Sequence, residues 1–284
     1  MGATPTVATS GTINLNTAAT LNYSVSGLTA SLEPGDILLL AHGFGASGTL
    51  TFPTNNGWTN HLNGNCCGVM SRVITEDWSS STNGYSSLYS ASARSSVAFI
   101  VIRGVSHYSV SSATAQSATP CTFASVAPSQ AGQNYLYIAL WAGTANIVGS
   151  QTPPSGYTNA QYISPGSTNS GGAAIWYKAS TSQPETPGNA TVTSMQSGYS
   201  QVFAFWNSLE SSGVVTDDVS ANCARTVMLF DRTTGGLLGK TTSNASTGAY
   251  TLVGKSTSSD YFSVCLDDAA GTTYNDKILR VTPG

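Results

Sequence analysis

The chain has 284 residues, of which only 8% are charged and 40% are hydrophobic, with a net charge of −3. Soluble proteins carry roughly 25% charged residues, so this surface must be clothed in Ser, Thr, Asn, Gln and Gly, which suit strands and turns better than helices. No cluster of Lys and Arg is present to displace phosphate counterions, and no apolar run approaches the roughly 20 residues of a membrane-spanning helix. No nucleic-acid partner and no membrane association are therefore expected.

In chain order, apolar residues alternate or cluster in short runs bounded by Gly, Pro, Asn and Ser, the pattern of strands. Strands are expected at Thr12–Leu15, Leu21–Val25, Asp36–His42, Gly68–Ile74, Ser96–Arg103, Tyr135–Ala142, Ala173–Lys178, Ala190–Thr193 and Gln201–Trp206. No helix is expected. The opening Met1–Thr6 fits a myristoylation pattern only loosely and no basic residue follows, so neither a lipid anchor nor a signal peptide is expected.

Two stretches say nearly the same thing. Gly35–Leu40 followed by Gly57-Trp58-Thr59 is echoed by Gln133–Ile138 followed by Gly156-Tyr157-Thr158. Val69–Ile74 is then echoed by Ala173–Lys178, and Val97–Ile102 by Val202–Trp206. A spacing of about a hundred residues is too long for a solenoid, whose repeats run roughly 20–50 residues. It predicts two related half-motifs, about 30–105 and 130–207, in one antiparallel jelly-roll-type β-sandwich spanning residues 1–209. Their strands are apolar at consecutive positions, as expected where both faces of a sheet are covered.

Past Ser211-Ser212-Gly213 the texture changes: seven of the 13 acidic and six of the ten basic residues lie at or beyond Asp217. A boundary near residue 210 and a second unit over 214–284 follow. Strands are expected there at Val227–Asp231, Leu237–Thr242, Ala249–Leu252, Tyr261–Leu266 and Lys277–Val281, a small Ig-like sandwich.

That unit carries Arg225, Val227, Leu229, Asp231, Arg232 and Gly235, then Gly248 and Tyr250, then Val264, Leu266 and Asp267, then Tyr274 and Asn275. In this spacing it resembles the carboxypeptidase-regulatory or transthyretin-like β-sandwich found at the ends of tailed-bacteriophage virion proteins. The Gly-Asp strand, the Gly-Trp-Thr turn and Ile102-Arg103-Gly104-Val105 likewise resemble sandwich domains of phage tail or head-surface proteins. The resemblance implies a structural or adhesive protein of the virion, assembled in the host cytoplasm, with other virion proteins and copies of itself as partners and no catalysis. It leaves tail fibre, tail-associated and head-decoration placements open.

Candidate chemistry is sparse. Glu76-Asp77-Trp78 is the acid–aromatic cluster of the first 209 residues and a candidate contact for host cell-surface glycan. His42-Gly43-Phe44-Gly45 echoes an oxyanion loop, but no G-x-S-x-G elbow accompanies it. His61 and His107 read as surface residues, and Trp58 and Tyr157, being repeated, as core plugs. Asp267, Asp268 and Asp276 are candidate cation ligands without an EF-hand pattern, and Asp217-Asp218 is a second acidic pair. Cofactors are not expected. Of the five cysteines, Cys223 and Cys265 are a candidate disulfide, and Cys121 is a candidate partner of Cys66 or Cys67; free thiols are the alternative.

Overall fold

The computed structural model describes residues 4–15, 20–23, 32–45, 57–64, 66–75, 85–88, 95–145, 150–163, 170–193, 195–207, 210–216, 222–232, 235–253, 261–266 and 277–281. Every regular element among them is a strand: β1 (Thr6–Leu15), β2 (Thr20–Tyr23), β3 (Ile37–Phe44), β4 (Trp58–Gly64), β5 (Cys67–Val73), β6 (Tyr85–Leu88), β7 (Ser95–Arg103), β8 (His107–Val110), β9 (Thr114–Gln116), β10 (Tyr135–Ala145) and β11 (Gln151–Thr152). There follow β12 (Thr158–Ile163), β13 (Ser170–Ser180), β14 (Thr191–Val192), β15 (Met195–Trp206), β16 (Glu210–Val214), β17 (Thr226–Asp231), β18 (Leu237–Thr242), β19 (Ala249–Val253), β20 (Tyr261–Cys265) and β21 (Lys277–Val281).

Two antiparallel sheets face each other. One runs β1-β7-β3-β5-β4 and the other β8-β15-β10-β13-β12, the same order with each strand of the first half replaced by its counterpart in the second. The internal repeat is thus a repeat of whole sheets. Each half of the chain supplies one sheet of the all-β sandwich. The sheets meet edge to opposite edge. Gln161 on β12 donates to Ser10 Oγ on β1 at 3.1 Å, and on the other side His61 on β4 packs edge-on against Phe203 of β15 and Tyr108 of β8.

Both faces of both sheets are covered, as the consecutive apolar positions predict. Between the sheets lie Ile37, Leu39, Ala41, Val69, Ala98, Ile100, Leu136, Ile138, Leu140, Ile175, Phe203 and Phe205. On the outer face of the second sheet, Tyr135, Tyr137, Trp141, Trp176 and Trp206 pack with Cys121, Phe123, Val126 and Tyr157. On the outer face of the first, Leu38, Leu40, Phe44, Trp58, Met70, Phe99 and Val101 cluster. Burying a Leu, Val or Phe contributes about 1.5–3 kcal/mol, so these three layers carry the stability of the body.

Side-chain direction corrects the alignment of β3 with β10 by one residue. Ile37 faces the inter-sheet core while Tyr135 faces out, so the counterpart of Ile37 is Leu136. A one-residue slip would turn the whole strand inside out. In this frame Ile102 answers to Phe205, Arg72 to Lys178 and His42 to Trp141, and every pair shares a face.

At one end the sheets touch backbone to backbone. A Cβ on Gly43 would collide with the Gly172 carbonyl, and one on Gly171 with the Gly43 carbonyl. There the Thr144 hydroxyl donates across to the Phe44 carbonyl at 2.9 Å. Beyond Asn207, β18-β17-β20-β21 form a four-stranded sheet and β16-β19 a two-stranded one, with Val227, Leu229 and Leu252 buried among them. Gly235 and Gly248 have φ of +71° and +64°, turns that a side chain would strain.

Candidate functional site

Four polar constellations stand out among the described residues. The first closes the β-turn ahead of β3. Asp36, 2% exposed, accepts two hydrogen bonds from Arg103, Nε to Oδ1 at 3.0 Å and Nη2 to Oδ2 at 2.8 Å, and one from the Glu33 N–H at 2.9 Å. Glu33 adds a 2.9 Å ion pair to Arg103. The Asp36 contact raises the Arg103 guanidinium above its ordinary value. This bidentate fork fixes the end of β7 to the start of β3. The group lines a cleft of about 160 Å³ together with Lys240, Thr241, Thr251 and Leu252.

The second fastens the repeated aromatic turn. Lys178 Nζ lies 3.0 Å from Glu185 Oε1 and 3.1 Å from Oε2, and the Tyr157 hydroxyl donates to Oε1 at 3.1 Å. The ammonium also sits over the Tyr157 ring, 5.6 Å from its centroid. Burial first, then the Glu185 charge, raises the Tyr157 hydroxyl well above its ordinary value. The first half repeats the device: Trp58 pairs with Arg72 across the ladder, and the guanidinium lies against Gly57 as Lys178 lies against Gly156. Both glycines have positive φ, +72° and +79°, which is why this turn needs Gly before its aromatic residue. Trp58 and Tyr157 are 8% and 7% exposed, core plugs as their repetition implies.

The third is a Ser–His pair that the sequence did not reveal. His61 Nε2 lies 2.8 Å from Ser71 Oγ. A register shift between Asn60 and Leu62 turns the ring inward onto Phe203, so His61 is half-buried rather than a surface residue. Burial lowers its pKa to about 4, and no carboxylate touches it among the described residues. A catalytic triad uses such a group to hold and charge the imidazole; the His61 ring packs edge-on against Phe203 and Tyr108. His42 is buried with its ring edge-on to Phe44 and is lowered to about 3 by burial. His107 stacks on Trp206 at 5.6 Å, where burial lowers it too.

The fourth is the cysteines, all five of them thiols. Cys121 cannot reach Cys66 or Cys67: it belongs to the outer cluster of the second sheet, while they lie in the core on that sheet's other side. Burial pushes Cys121 up to about 12. Cys265 occupies a ladder position opposite Val227, while the Cys223 thiol points to the Val215 carbonyl at 3.8 Å, and the expected bond between them is not formed. Cys66 and Cys67 lie side by side at the end where the sheets touch.

Glu76, Asp77 and Trp78, the candidate glycan contact, lie outside the described residues, as do Asp267, Asp268 and Asp276 and the pair Asp217-Asp218. Among the described residues no three His, Cys, Asp or Glu side chains converge as a metal site, and no helix is long and apolar enough to cross a membrane. No protein-family profile matches the chain, and neither a curated protein nor a solved structure matches it.

Proposed function

We propose that the chain is a non-catalytic structural component of a tailed-phage virion surface, tail-associated or head-decorating, assembling with other virion proteins and with itself. The observation that carries this reading is the use made of its few ionic groups. Asp36 with Arg103, and Glu185 with Lys178, each fasten a strand end or a turn, and the half-buried His61–Ser71 pair meets no carboxylate among the described residues. What is left outward is a polar surface of low charge, with Tyr108 and Val110 exposed at 42% and 39% along the edge strand β8. Unpaired edge strands are natural templates for contact between chains. The motif residues of the C-terminal unit add the resemblance to virion end-domains.

The test is electron microscopy of the assembled particle with this chain labelled, beside light scattering of the isolated protein. Regular label on capsid faces, tail or fibre is the expected result. A monomer that never labels a particle, or one that releases sugar from host polysaccharide, overturns the reading.

A further inference from the structure

We propose that Cys66 and Cys67 form a two-thiol site for a soft monovalent metal ion of the Cu(I) class, set at the end of the sandwich where the sheets touch. Gly64 pairs with Cys67 where β4 meets β5, and Cys66 lies in the turn just ahead of β5. Neighbouring residues on a strand point to opposite faces; the turn at Cys66 cancels that alternation, and both side chains enter the inter-sheet core. The loop is pinned by the Phe44 N–H donating to the Cys66 carbonyl at 3.0 Å.

Both sulfurs are met by hydrogen-bond donors. The Ser197 hydroxyl donates to Cys66 Sγ at 3.6 Å, and the backbone of Thr144 and the thiol of Cys67 also bond to it. The Tyr199 backbone bonds to Cys67 Sγ. Such bonds favour the thiolate, the form that binds metal.

The ligand count selects the ion. Zinc needs four ligands and calcium six or more oxygens; two thiolates satisfy only a low-coordinate, sulfur-seeking ion, the preference of Cu(I). Binding forms two Cu–S bonds and releases the thiol protons still present, so no electron is transferred.

The full chain is loaded with Cu(I) in an anaerobic buffer and challenged with a chromophoric Cu(I) chelator. One ion per chain should be retained by the wild type and by Cys121→Ser, and none by Cys66→Ser or Cys67→Ser. Ser197→Ala, which keeps both sulfurs, should weaken retention roughly 10-fold. X-ray absorption of the loaded wild type should show a shell of two sulfurs, a result that does not depend on how a variant folds. Loss of the ion from the folded wild type, retention by Cys66→Ser, or a shell of nitrogen and oxygen overturns the proposal.

Discussion

His42 and His61 are held near 3 and 4 by burial, against an ordinary value of 6.5. The unfolded chain takes up protons on both as the pH falls through 6.5, while the folded chain cannot until about 4 and 3. Their contribution is therefore complete above 6.5 and is lost as the pH drops through that window, on the order of a few kcal/mol in total. Urea midpoints should fall between pH 7 and pH 5, and His61→Gln, which keeps a partner for Ser71, should flatten that fall. The acid–base pair at the aromatic turn gives a second expectation. Glu185→Gln leaves Lys178 facing a neutral amide, and should cost about 2 kcal/mol, read as a lower thermal midpoint with the far-ultraviolet spectrum unchanged.

At the scale of elements, the long apolar strands were legible because burial on both faces leaves an unbroken apolar run: β3, β7, β10 and β15 all lie where the pattern put them. The polar edge strands β4 and β12 were not, since Thr59, Asn60, Thr158 and Asn159 face solvent and look like loop. The same limit hid the His61–Ser71 pair, because the register shift that turns His61 inward has no signature in composition. It also allowed a Cys121 pairing that the intervening sheet forbids: spacing along a chain does not say on which face a side chain emerges. The repeat was legible in outline, yet one residue out of phase in β3 until side-chain direction fixed it. The glycines at the sheet contact carry the sharpest expectation at this scale. Gly43→Ala should destabilise by about 3 kcal/mol, because a methyl group there meets the backbone of the facing sheet. Gly132→Ala, strained by a φ of +73° but with open space around it, should cost only about 1 kcal/mol. Denaturant unfolding of the two variants side by side checks the contrast.

For the whole molecule, the repeat means that each half of the chain owns one sheet and that each sheet has an apolar face only the other can cover. A break at Gly104, in the turn between β7 and β8, separates the two sheets without cutting a strand. Fragments 1–104 and 105–284 should therefore co-purify when expressed together, and each should be insoluble alone. Soluble, independently folded fragments would show that the sheets do not depend on each other. The contact at Gly43 and Gly171 has a geometric consequence beyond stability. Along β3 and β10 the space between the sheets is filled at one end by Ile37, Leu136 and Phe205, and at the other closes until backbone meets backbone. The body is thus a wedge, with a taper written into its glycines. A residue larger than glycine at position 43 would therefore have to push the two sheets apart at that end, changing the angle between them as well as the stability.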